Sequence, residues 1–352
     1  MNSPINSFYV TGGRLRRTVF RKLEEWQSCE QAVLVELDPA KNQSRMCVEY
    51  VSPADACPDV LPAFLFKSAT IRGNKLYACT STEVLVYELP SFSLQHYISL
   101  PCFNDLHHVC PCQRGTLLVA VTGLDMVIEI TTSGSLVREW SVIGEDTWAR
   151  FSRDVDYRKV STTKPHRSHP NHVFELDNEV WVTRLQQRDA ICLSNPGPRI
   201  DIAVQRPHDG YVFGDRIYFT TVDGHIVIAD QKALRVNETI DLNQMSGQPE
   251  QTLGWCRGVL PLDERWLWVG FTRVRPTKFV ENVSWIRHGN SHRHRPSHVA
   301  LYDLARKTCE QEIELEPHGI GVVFSLLPLP ARSPVPETSL LRESGDADFL
   351  VR

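Results

Sequence analysis

The chain has 352 residues, 42% of them apolar and 23% charged, with a formal net charge of −4. This balance is that of an ordinary soluble globular protein. It excludes attraction of the whole molecule to nucleic acid or acidic membranes, and no run approaches the roughly 20 apolar residues of a membrane helix.

In chain order, the first β-type segment is SFYVTGG at 7–13. The stretch 14–27 follows, with Leu15, Val19, Leu23 and Trp26 on one helical face and Arg14, Arg17, Arg21 and Lys22 elsewhere. That spacing predicts a short amphipathic helix capping a rim. VLVELDPAKNQSRMCVEY at 33–50 reads as two further strands around a polar turn. Five longer units come next, at about 64–100, 103–142, 170–204, 207–242 and 255–315. Each opens on a strand, a polar turn and a second strand ending near Thr, as in HVFELDNEVWVTR from His172 and HDGYVFGDRIYFTT from His208. Two shorter strands complete each unit, for example HIVIADQKALRVNETIDL at 225–242. GIGVVFSLLPLP at 319–330 is one more strand, with no hairpin partner in the sequence beside it.

Four antiparallel strands repeated at about forty residues are the signature of propeller blades. The expected fold is therefore an all-β, six-bladed β-propeller over residues 1–330, with five or seven blades as the alternatives. Its sixth blade is split: 319–330 supplies the innermost strand and 7–13 with 33–50 the other three, which removes two open sheet edges. The hairpins just quoted resemble those of six-bladed propellers of the NHL-repeat, gluconolactonase and streptogramin-lyase groups. The resemblance is architectural and implies a fold, since one propeller scaffold carries many chemistries. Residues 331–352, rich in Pro, Ser and acids, read as a disordered tail.

Connection lengths add a functional expectation. First-to-second and third-to-fourth turns are short, whereas 12–31, 51–63, 143–169 and 273–298 are long and belong to the opposite face. Loops gathered on one face of a rigid scaffold commonly carry function. Loop 143–169 holds Trp148, Arg150, Arg153, Tyr157, Arg158, Lys164, His166 and Arg167. Loop 273–298 holds six arginines and lysines against Glu281 and includes the tract RHGNSHRHRPSH. Together they predict a basic roof, with Trp148, Tyr157, Trp255 and Trp285 available as apolar walls.

Beneath that roof the inner strands open on Lys67, His108, His172, His208 with Asp209, and Arg257, while His107, His169 and His318 lie near equivalent edges. Three readings stand side by side. His108, His172 and His208 hold a divalent metal ion, with Asp209 or water completing the set. Or Lys67 and Arg257, with Tyr157 and His318, grip a small anionic molecule directly. Or these residues bond blade to blade. As an enzyme, with the metal on His108, His172 and His208 and Arg257 and Lys67 on the negative charge, the chain would use His107 or Asp209 to move protons in a metal-assisted lyase, isomerase or hydrolase step. A non-catalytic scaffold for a ligand or a protein partner is the reading from another class; neither nucleic acid nor membrane is an expected partner.

Cys110 and Cys112, in H-x-C-x-C with His108, read as small buried hydrophobes. The N-terminus lacks the long apolar core of an export signal, so the ten scattered cysteines are expected as reduced thiols in a cytoplasm.

Overall fold

A computed structural model describes residues 6–17, 23–246, 252–274 and 295–330. It is a six-bladed β-propeller, with 24 strands among the described residues, four per sheet. In chain order the complete blades are β4–β7 (Thr70–Arg72, Lys75–Cys79, Val84–Glu88, Ser93–Ile98) and β8–β11 (Leu106–Pro111, Leu117–Val121, Met126–Ile130, Leu136–Ser141). Then come β12–β15 (Pro170–Leu176, Glu179–Arg184, Asp189–Cys192, Arg199–Asp201) and β16–β19 (Tyr211–Phe213, Arg216–Thr220, His225–Asp230, Arg235–Asp241). The last is β20–β23 (Trp255–Pro261, Trp266–Thr272, His298–Asp303, Thr308–Glu314). The split blade has the order β24 (Val322–Pro328), β1 (Phe8–Leu15), β2 (Cys29–Asp38), β3 (Gln43–Tyr50), as the sequence predicts.

The local patterns follow from position in the blade. Middle strands are covered on both faces, so β9 (LLVAV) and β10 (MVIEI) are buried throughout and read as unbroken apolar runs. Outermost strands face solvent, so β11 (LVREWS) and β7 (SLQHYI) carry charged and polar residues. The core is a ring of apolar clusters, one between each pair of neighbouring blades. Phe8, Trp268, Leu260 and Leu326 join the last complete blade to the split one, and Tyr9, Phe66, Leu76 and Leu85 join the split blade to the next.

Closure depends on the contact between the chain ends. β1 pairs with β24 from Phe8↔Pro328 to Gly13↔Val322. At Gly12 an added Cβ would lie 1.8 Å from the Val322 carbonyl oxygen, so only glycine permits this approach.

Two expectations need correction. Arg14 and Leu15, expected in a rim helix, belong to β1, where they pair with Gln31 and Cys29. A short 3₁₀ turn occupies Glu25–Gln27, and 18–22 lies outside the described residues. The roof is also less basic than its composition suggests. Arg150 pairs with Asp125, Arg153 with Glu139, Arg158 with Asp156 and Arg167 with Glu145. Acids interspersed in the loops and on neighbouring strands neutralise the arginines locally. Most of 273–298, Trp285 included, lies outside the described residues. His298, at its end, is buried in β22 and stacks on Phe271 at 4.9 Å.

Away from the channel, the β17–β18 hairpin carries a titratable pair, His225 Nδ1 at 3.0 Å from Asp223 Oδ1. That hydrogen bond raises the imidazole above its ordinary value. A raised folded-state value stabilises the protein fully at pH below the unfolded value of about 6.5, and the gain is lost as pH rises through the folded value. Urea midpoints should therefore fall between roughly pH 6 and pH 8 by a contribution of at most about 1 kcal/mol, and Asp223→Asn should flatten that part of the profile.

Candidate site at the channel mouth

Four of the six inner strands carry a register shift where they reach the mouth. β8 skips His107, β12 skips Asn171, β20 sets Arg257 and Gly258 against one partner residue, and β24 skips Phe324. A bulge re-aims the extra side chain and ends strict alternation. This is why His107 and His108, adjacent in sequence, are both buried, where alternation predicts that they face differently.

The mouth opens into a cavity of about 850 Å³, counting the part open to solvent. Arg257 and Phe324 line it from inner strands and Lys67 and Asp105 from the segments just before β4 and β8, while Trp26, Pro62, Val160 and Lys164 come from the long loops. Phe324 is the centre of the cationic side. Lys67 Nζ lies 5.0 Å and the Arg257 guanidinium 4.6 Å from its ring centroid, both within cation–π reach.

Beside Lys67 stands a carboxylate with two imidazoles. Donor atoms of Asp105, His166 and His169 all lie within 4.8 Å of one another, and they are the one such set among the described residues. Lys67 Nζ is 2.8 Å from Asp105 Oδ1. Burial works against the Asp105 charge, but Lys67 and then His107 hold its carboxyl far below the usual range. His166 Nδ1 and His169 Nδ1 are 2.8 Å apart, so one donates to the other. Burial pushes both imidazoles below their ordinary value, His169 further because His107 and His166 adjoin it. Neutral imidazole is the form that binds metal. Two imidazoles and a carboxylate suit Zn, Mn, Fe(II) or Co(II), so this buried cluster could hold a metal ion.

The backbone around the cluster is specialised. Asp105, Asp125 and His169 all take positive φ, at 48°, 51° and 61°. This region is uncommon outside glycine, though Asp and His tolerate it better than most residues. Asp125, 1% exposed, accepts from three successive amides, Arg167 at 2.9 Å, Ser168 at 2.9 Å and His169 at 2.8 Å, and from Arg150 Nη1 at 3.1 Å. These bonds fix the loop that presents His166 and His169. Thr163 Oγ1, 3.2 Å from His166 Nε2, steadies the ring from the other side.

His107 connects the two halves. Its ring is 4.7 Å from that of His169 and 6.0 Å from that of His208. Its Nδ1 is 2.8 Å from the Asp105 carbonyl oxygen, which can only accept, so Nδ1 carries the proton and Nε2 is the basic atom.

The three histidines expected to hold a metal do not gather into such a set. His108 is engaged at both nitrogens, by Thr70 Oγ1 at 2.9 Å and by the Val173 amide at 3.2 Å, and stacks on His172 at 3.7 Å. Neither nitrogen of His208, nor His172 Nδ1, has a hydrogen-bond partner among the described residues. Asp209 accepts from Thr220 and, at 2.9 Å, from the Gly258 amide, which ties neighbouring blades together. Lys67 and Arg257 do line the cavity. Tyr157 does not: it packs in the core with Leu106 and Phe103, and its hydroxyl accepts from the Ser152 amide at 2.9 Å. His318 sits away from the channel with Nδ1 2.8 Å from Ser44 Oγ of the outermost strand β3, because the turn before β24 carries it outward. Cys110 and Cys112 are free thiols in an apolar cluster with Leu118 and Val173, and burial pushes them up to about 12 and about 11.

Among the described residues no helix is long and apolar enough to cross a membrane. No protein family and no curated protein matches the chain. Solved structures do. A protein of unknown function from Bacteroides caccae is 11% identical, with a TM-score of 0.60, over 93% of this chain and 100% of that one. The nidogen/laminin complex gives 9% identity and a TM-score of 0.56, over 92% and 99%. Virginiamycin B lyase from Staphylococcus aureus gives 14% and 0.42, over 68% and 73%. At these identities the likeness is one of fold: the chain is a six-bladed β-propeller of no characterised family.

Proposed function

We propose that the channel mouth binds a small anionic molecule and acts on it with a divalent metal held by Asp105, His166 and His169. One observation carries the reading: donor atoms of Asp105, His166 and His169 lie within 4.8 Å of one another, and Asp105 lines a solvent-reaching cavity together with the cations Lys67 and Arg257. When bound, the metal supplies a Lewis acid or an activated water. Arg257 and Lys67 bind the carboxylate or phosphate of the substrate, Arg257 with a fork suited to two oxygens. His107, unprotonated at Nε2 and beside His169, takes or returns the proton that such a lyase, isomerase or hydrolase step requires.

Elemental analysis of the purified full chain after reloading should find about one metal per chain, as expected for a single three-ligand site. His169→Ala should weaken binding at least about a hundredfold, more than the loss of an outer-shell group does. Less than a tenth of an equivalent in the parent chain, with no uptake on titration, would sink the metal reading.

A further inference from the structure

We infer that Lys67 is a built-in counter-cation: without metal it neutralises Asp105, and on metal entry it turns to the anionic ligand, so that metal and anion bind cooperatively. This rests on the metal reading of Asp105, His166 and His169.

Lys67 is 6% exposed, with its ammonium 2.8 Å from Asp105 Oδ1. A buried ammonium needs a counter-charge, and here Asp105 supplies it. A metal ion must share that same carboxylate, which sets a divalent cation against a neighbouring ammonium in a low-dielectric setting. Asp209 is committed elsewhere: its Oδ2 accepts from Thr220 and the Gly258 amide, and its Oδ1 lies 3.9 Å from His208 Nδ1. Lys67 also faces an aromatic ring while it bonds Asp105. Its Nζ already lies 5.0 Å from the Phe324 ring, the ring over which Arg257 sits at 4.6 Å. An anion received there meets two cations and offsets the added positive charge. Metal and anion should then favour each other, by the same factor in both directions.

The roles are separable with cobalt(II) and sulfate as probes of the full chain. In anion-poor buffer Lys67→Met should bind cobalt about tenfold more tightly than the parent, because a competing cation is gone while the apolar stem remains. Adding sulfate should tighten cobalt binding to the parent about tenfold and leave Lys67→Met nearly unchanged. Lys67→Gln repeats the test with a polar side chain should the Met variant fold poorly, and Lys67→Arg, which keeps the charge, should restore the sulfate response. Cobalt binding no tighter in Lys67→Met than in the parent overturns the inference, as does an undiminished sulfate effect. Absence of cobalt binding in parent and variants alike overturns the metal reading and the inference with it.

Discussion

A chain ended at Gly321, and so lacking the innermost strand of the split blade, is expected to lose its cooperative folding transition. β24 buries five apolar side chains, Val322, Val323, Phe324, Leu326 and Leu327. They serve three clusters: Val323 and Leu326 pack with Trp268, Leu327 with Tyr9, and Val322 and Phe324 with Cys29 and Leu65. At about 1.5–3 kcal/mol for each fully buried side chain, the loss is on the order of 10 kcal/mol, comparable to the whole stability of about 5–15 kcal/mol of a typical domain. Hydrogen bonds across the closure go as well. Ser325 Oγ accepts from the Ala69 amide at 2.8 Å, and the Val323 amide donates to Thr272 Oγ1 at 2.9 Å. The exposed edge of β1 then offers a template for pairing between copies. Circular dichroism melting and size-exclusion chromatography should show an unfolded or aggregated chain, and a synthetic peptide of residues 319–330 added during refolding should recover the transition. A truncated monomer with an unchanged melting temperature would show that the ends contribute nothing.

That closure was legible in the sequence because each part of it is a local pattern: hairpins of similar length, short turns on one face, and a strand left over at each end. The loop asymmetry was legible for the same reason, and Trp26, Pro62 and Lys164 of those loops now line the cavity. The site residues were only partly so. Lys67, just before β4, and Arg257, near the start of β20, both reach the mouth as their places near inner-strand starts suggest. His108, His172 and His208 were not brought into one cluster because counting back from each turn assumes strict alternation, which the bulges at His107 and Asn171 break. Asp105 turns toward the channel only through a left-handed backbone, which spacing does not announce. His166 lies in an irregular loop, and what brings it to His169 is Asp125, a residue on another blade's turn. An acidic residue just after T-G-L, between two apolar strands, is a weak signal by itself. Positive φ at Asp and His positions is recoverable from coordinates and not from periodicity.

Asp125 is also where fold and site depend most on one side chain, and Asp125→Ala should show both effects. Its carboxylate is fully enclosed and accepts the amides of Arg167, Ser168 and His169 together with the Arg150 guanidinium. Bonds to an ionised acceptor are roughly twice as strong as neutral ones, and none of the four donors keeps this partner once the carboxylate is gone. Removing one member of a buried charge pair costs about 3–5 kcal/mol, and denaturant unfolding should register a loss of that size. The loop 166–169 would then lack the frame that holds His169 at positive φ, a conformation that persists only while its surroundings enforce it. Metal uptake should consequently fall with the stability. Asp125→Asn separates the two: its amide oxygen can still accept from the loop amides, while the NH₂ that replaces the second oxygen faces donors and the charge opposite Arg150 is lost. It should recover part of the metal affinity while remaining less stable than the parent by about 1–3 kcal/mol, the range for a buried group left poorly paired. Full metal affinity in Asp125→Ala would show that His166 and His169 are held by the rest of the loop, and that the carboxylate acts on stability alone.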